Sequence, residues 1–276
     1  MSKKRPGVQA GVNLVEAVDM TQEAWEKVES FCQVVINDIP KLKELEDALN
    51  AFATTAKRSS FSKAELHQIV LWKHTVGKNR AYNMKHINVN SDESVKEYST
   101  KAIQLAMEID LNGLVDVNSG AMIPNGKSSM QAALENLTKN LKGVGPATAS
   151  AILTLVRPDI FCYLFDEVID VFEPKRDYTL PIYLRVNSRC LQIGQKLGGK
   201  WTSGRVAKTI WMAARFLAER GKDPTKELNL LVLAANQKKR PAAIDEKDNT
   251  KSNEPDAVDH VTKARKSARS TRQRKS

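Results

Sequence analysis

The 276-residue chain reads as an all-α protein. Three observations predict this class. Apolar residues recur at i, i+3 and i+4 through most of the chain from Thr21 to about residue 235, which places them on one face of each helix. Helix start signals accompany those stripes, the clearest at Ser62 and Glu65. No segment bounded by turn residues sustains the strict alternation that a half-buried strand needs.

The elements follow in order. Residues 1–20 show no sustained periodicity and are expected to form a flexible N-terminus. Trp25, Val28, Phe31, Cys32, Val35 and Ile36 define the first apolar face, and Pro40 ends or kinks that helix. Leu42, Leu45, Leu49 and Phe52 form the next stripe. Ser62 and Glu65 make a capping box, with Phe61 and Leu66 able to staple across it. That helix runs through Ile69, Val70 and Trp72 to about Thr75, where Gly77 stops it. Asn90 or Ser91 caps a helix carrying Val95, Tyr98, Ala102, Leu105, Ala106 and Ile109. A loop rich in Asn, Gly and Ser occupies roughly 111–127, and Ser128 to Asn140 forms a helix with Met130, Ala133, Leu134 and Leu137 inward. Further helices are expected at about 146–156, 166–172, 180–196, 203–219 and 225–235.

Composition narrows the function classes. A hydrophobic content of 41% supports a substantial core. The longest apolar runs fall well short of the ~18 residues of a membrane span, so no membrane association is expected. Met1 to Pro6 lacks the apolar stretch of a signal peptide. Cys32, Cys162 and Cys190 are scattered, which suits reduced thiols and gives no metal-site spacing. Net charge is +11, and residues 237–276 hold 12 Lys/Arg against 6 Asp/Glu, so about half of the excess lies there. That segment lacks large apolar side chains and is expected to be a disordered basic tail, following a helical domain at 21–236. Its clusters, Lys238-Lys239-Arg240-Pro241 and Lys263 to Lys275, suit nuclear import and backbone contact, so a nuclear location is expected.

The segment Leu141-Lys142-Gly143-Val144-Gly145-Pro146-Ala147-Thr148-Ala149 carries the most information. Gly143 and Gly145 bracket one apolar residue, so the chain can turn tightly and approach a ligand closely. Pro146 suits the first position of a helix, and the amides at that helix start suit a phosphate. Together with the preceding helix this predicts a helix-hairpin-helix that holds a nucleic-acid backbone. Lys142, Gly143, Val144, Gly145, Ala147 and Thr148 are its candidate contacts. Trp72-Lys73-His74-Thr75-Val76-Gly77-Lys78-Asn79-Arg80 adds Lys73, Lys78 and Arg80 as candidate phosphate contacts. A core Trp72, with cations that favour a helix C-terminus, is the other reading of that stretch. Lys200, Arg205 and Lys208 form either a solvated face or an extension of the basic surface.

The hairpin sequence, followed by an apolar helix, a loop at Arg157 to Phe165 and then Asp166, resembles the signature of the endonuclease III-like (HhH-GPD) DNA glycosylase superfamily over roughly residues 128–172. The Trp72 to Arg80 stretch is similar to that of a divergent eukaryotic group of hairpin-containing proteins. The resemblance implies a two-lobed all-α fold, double-stranded DNA as partner, and Asp166 at the pocket that receives an extruded base. It implies no cofactor beyond a monovalent cation at the hairpin. A carboxylate there would stabilise positive charge on the sugar or orient a water as the glycosidic bond breaks. Asp166 suits equally an N-cap, with Glu167 favouring the helix dipole. Several departures matter. Ala147 stands where bifunctional members carry a lysine, so lyase chemistry is not expected. Lys142 replaces a proline, the loop has Pro158 but no glycine, and three dispersed cysteines cannot hold an iron–sulfur cluster. A monofunctional glycosylase, a binding protein that has lost base excision, and a helical protein-interaction domain are the three readings left open.

Overall fold

A computed structural model describes residues 13–16, 21–54, 58–78 and 82–230. It is all-α: among the described residues there is no strand, and one isolated antiparallel bridge joins Val115 to Met122. No helix among them is long and apolar enough to cross a membrane. The expected basic tail and most of the expected flexible N-terminus lie outside the described residues, but residues 13–16 depart from that expectation: they are helical, and Leu14 is fully buried in the core.

Helix α1 spans Gln22–Cys32, capped by Thr21, whose hydroxyl accepts from the Ala24 amide. The first apolar stripe is not one helix. The chain re-forms as α2, Val34–Asp38, after Gln33. Phe31, at the edge of that stripe, stays 41% exposed and packs its ring 4.9 Å from Phe216. Helix α3, Leu42–Thr54, buries Leu42 and Leu49 while Leu45 is half-buried; the side chain of Phe52 lies outside the described set. Helix α4, Lys63–Val76, opens on the expected capping box and ends at Gly77. Arg58 adds an ion pair 2.7 Å from Glu65.

A short helix, α5 at Tyr82–Asn88, stands where no helix was expected. Seven residues are too few to display a period. Helix α6, Asp92–Met107, is capped by Ser91, not Asn90. Helix α7, Pro124–Asn140, begins earlier than the composition suggests, with Pro124 in the first turn. Its Gly126 faces Leu114 so closely that a Cβ would collide with that side chain. Helices α8 (Pro146–Val156), α9 (Asp166–Phe172), α10 (Leu180–Leu197) and α11 (Ser203–Arg220) match the expected spans closely, and residues 224–230 are helical.

Helix α8 lies at the centre, against α3, α4, α6, α7 and α10. Its small residues Ala149, Ser150 and Ala151 are buried, which allows that many neighbours to approach. Helix α11 gathers α1, α2, α9 and α10. Trp201 and Trp211 are core residues, and Trp211 stacks on Phe165 at 5.0 Å.

Candidate functional site

The turn between α7 and α8 is shaped by two glycines with different tasks. Gly143 adopts φ +76°, and a Cβ there would lie 2.9 Å from the His86 Cβ and 3.1 Å from the Ile87 amide nitrogen. Helix α5 therefore presses directly on the turn. Gly145 has φ −92° and ψ −179°, ordinary extended backbone, and a Cβ added to it would meet nothing within 4 Å. It caps α8 with no side chain, and open space stands in front of it.

Asn90 locks the turn from the start of α6. Its Oδ1 accepts from the Lys142 amide at 2.8 Å, and its Nδ2 donates to the carbonyls of Lys142 and Ile87, each at 2.9 Å. Val144 is buried and its amide donates to the Leu141 carbonyl. Thr148 is buried too, its amide bonded to the Gly145 carbonyl. These two residues shape the turn. The amides of Gly143, Gly145 and Ala147, by contrast, donate to no acceptor among the described residues. These three residues, with the positive end of the α8 dipole, line one place. The carbonyls of Leu141, Lys142 and Gly145 each accept a hydrogen bond.

That place is a cleft of about 170 Å³. Gly143, Gly145, Ala147 and Thr148 form one wall. Lys73, Gly77 and Lys78, at the C-terminal end of α4, form another, with Asn83 of α5 beside them. Asp166, Tyr163 and Tyr178 complete it. The hairpin and Asp166, read in the sequence as one signature, and Lys73, Gly77 and Lys78 of the separately read Trp72–Arg80 stretch therefore line one cleft. Lys78 and Lys142 are exposed, and neither forms an ion pair among the described residues. Arg80 lies outside the described residues.

Asp166 does not cap α9. Phe165 holds the cap position, Asp166 is the first helical residue, and its carboxylate accepts from side chains. The Tyr178 hydroxyl donates to Oδ1 at 2.8 Å and Arg176 Nη1 to Oδ2 at 3.0 Å. Arg176 also holds Asp170 through its Nε at 2.7 Å, so one guanidinium serves two carboxylates. The Asp166 side chain is 18% exposed, sunk in the wall of the cleft but not sealed from it. Next to it, burial pushes the Glu167 carboxyl above the usual carboxylate range, with Arg215 2.9 Å away opposing the shift. The hold of Asn90, read only as a possible cap, on the turn escaped sequence reasoning, as did Arg176 and Tyr178. Their partners are 52, 10 and 12 residues away, and no local spacing marks such pairs.

The loop that delivers Asp166 is pinned at several points. Arg157 donates to the Ala106 carbonyl at the end of α6 and pairs with Asp159. Fully buried Asn187 accepts from the Cys162 amide at 2.7 Å and donates to the Ile160 carbonyl at 2.8 Å. Ser150, on α8, accepts from the Leu164 amide. Trp72 is half-buried, with its ring 4.8 Å from Tyr163. The cations near Trp201 are largely committed elsewhere: Arg205 pairs with Glu29 and Lys208 with Glu46, while Lys200 is exposed. Among the described residues no cluster of His, Cys, Asp or Glu could hold a metal ion. Compared with known proteins, the chain matches no family model, no curated protein and no solved structure.

Proposed function

We propose that this chain is a double-stranded DNA-binding protein related to the endonuclease III-like glycosylases, and that it holds a backbone phosphate at the start of α8. One observation carries the reading. The three unpaired amides of Gly143, Gly145 and Ala147 open onto the same cleft as Lys73 and Lys78. Amides left open at a helix start beside cations fit an anionic oxygen that completes them. The cleft is small and polar, of the order of a single group and not of an elongated ligand. The net charge of +11 favours the same partner.

The test is duplex affinity measured by fluorescence anisotropy across a salt series. Affinity falls steeply with salt, by about 0.9 in log–log slope for each phosphate neutralised. Lys78→Ala weakens binding to all sequences alike and lowers that slope by about 1. An unchanged slope in that variant places the contact elsewhere.

A second reading, monofunctional base excision, draws on Asp166 lining the cleft. Against it stand Arg176 and Tyr178, which engage both carboxylate oxygens and offset the charge that a cationic sugar would need. The geometry therefore favours binding without excision. Under that reading the chain releases no base from a panel of damaged and mispaired duplexes, and Asp166→Asn binds DNA as the parent does. Release by the parent chain that Asp166→Asn abolishes would establish the enzyme instead.

A further inference from the structure

A second pocket, of about 310 Å³, lies on the flank of α8, away from the helix start. Ala151, Thr154, Leu155 and Pro158 face it at i, i+3, i+4 and i+7, one stripe of α8 and the residues just beyond it. Trp72 and Phe165 supply aromatic wall, and α3 and α11 contribute the remaining sides. Such a lining, mostly apolar with a few polar groups, is that of a small-molecule site, and its volume is at the lower end of their ~300–1,000 Å³ range.

The polar groups define the occupant. Lys208 pairs with Glu46 at 2.7 Å, and Arg205 pairs with Glu29 at 2.6 Å while lying 4.2 Å over the Trp201 ring. The charges of the lining are thus closed on partners, and an ionic ligand would have to open an ion pair to enter. Thr154 donates its hydroxyl proton to the Ser150 carbonyl, which leaves its oxygen as an acceptor. Thr202 accepts from the Arg205 amide, and its own hydroxyl proton has no acceptor among the described residues. Thr154 and Thr202 therefore offer one acceptor and one donor beside an aromatic wall, and Asn50 and Tyr163 line the pocket as well. A cavity of roughly 150 Å³ holds a benzene ring, so about twice that volume suits two fused rings.

We propose that this pocket binds a neutral, planar molecule of two fused aromatic rings that carries one hydrogen-bond donor and one acceptor. The site shares the Tyr163 wall with the cleft at the start of α8, but its proposed ligand does not depend on the chain binding DNA. Aromatic rings at the wall favour edge-to-face or offset contact with such a ligand.

Saturation-transfer NMR and calorimetry on the full chain test this with quinolin-2-one, which has both rings, one N–H and one carbonyl. It binds at least about tenfold more tightly than quinoline-2-carboxylate, which is charged, and than pyridin-2-one, which has one ring. Ala151→Leu fills the pocket and abolishes the transfer. Thr154→Val keeps the shape of the side chain but removes the acceptor, and weakens binding about tenfold in a chain whose circular dichroism is unchanged. If Ala151→Leu does not fold, Thr154→Val decides alone. No saturation transfer from quinolin-2-one, equal binding of the carboxylate, or parental affinity in a folded Thr154→Val chain each overturns the assignment.

Discussion

Gly143 and Gly145 stand two residues apart and answer different demands. Gly143 is held left-handed against α5, where a methyl group would meet backbone. Gly143→Ala therefore destabilises the fold by about 1–3 kcal/mol, measurable by urea denaturation. Gly145 has a backbone that alanine adopts and open space before it. In Gly145→Ala the gain from a less flexible unfolded chain and the loss of a better N-cap residue offset within about 1 kcal/mol. The new methyl group stands where a phosphate would approach, so this variant stays folded and binds duplex DNA more weakly. Gly145→Ala with parental affinity would remove Gly145 from the contact. The glycine pair was legible in the sequence, but which one serves the fold and which the cleft was not. That distinction depends on α5, which sequence reasoning did not expect.

At the scale of elements, the hairpin owes its rigidity to a residue outside it. Asn90 makes three hydrogen bonds to the turn and to α5, and it is buried. Asn90→Ala strands the Lys142 amide and carbonyl, while the Ile87 carbonyl keeps the Asn90 backbone amide, and the loss costs about 1–3 kcal/mol of stability. Native-state hydrogen exchange then shows faster exchange concentrated in the α7–α8 turn; uniform acceleration across the helices would mean that Asn90 supports the fold at large. The helices themselves were readable because each carries its stripe locally, as Met130, Ala133, Leu134 and Leu137 do in α7. Boundaries failed where a stripe is absent or misleading. Pro124 to Lys127 have a loop composition, and the break at Gln33 interrupts an unbroken apolar face. The role of Asp166 was likewise open, since catalysis and capping place a carboxylate at the same residue. Phe165 takes the cap position, and Arg176 and Tyr178, which engage the carboxylate, both come from the segment beyond α9.

Over the whole molecule, two sources of positive charge suit the proposed partner. The basic cluster from Lys238 to Lys275 attracts polyanions whether or not the helical part has a site, so affinity alone does not locate the contact. Its structure lies outside the described residues, and its role rests on composition. The helical part brings the hairpin, the α4 lysines and Asp166 to one cleft, although about 60–90 residues separate the α4 lysines from the other two. That convergence is what periodicity and motifs cannot show, because each reports on one segment. The measurement that separates cleft from tail is amide chemical-shift mapping of the full chain during titration with a short duplex. The account predicts that the Gly143, Gly145 and Ala147 amides shift first and furthest, with the Lys73 and Lys78 region following. Shifts confined to residues 237–276, with those three amides unmoved at saturation, would contradict it.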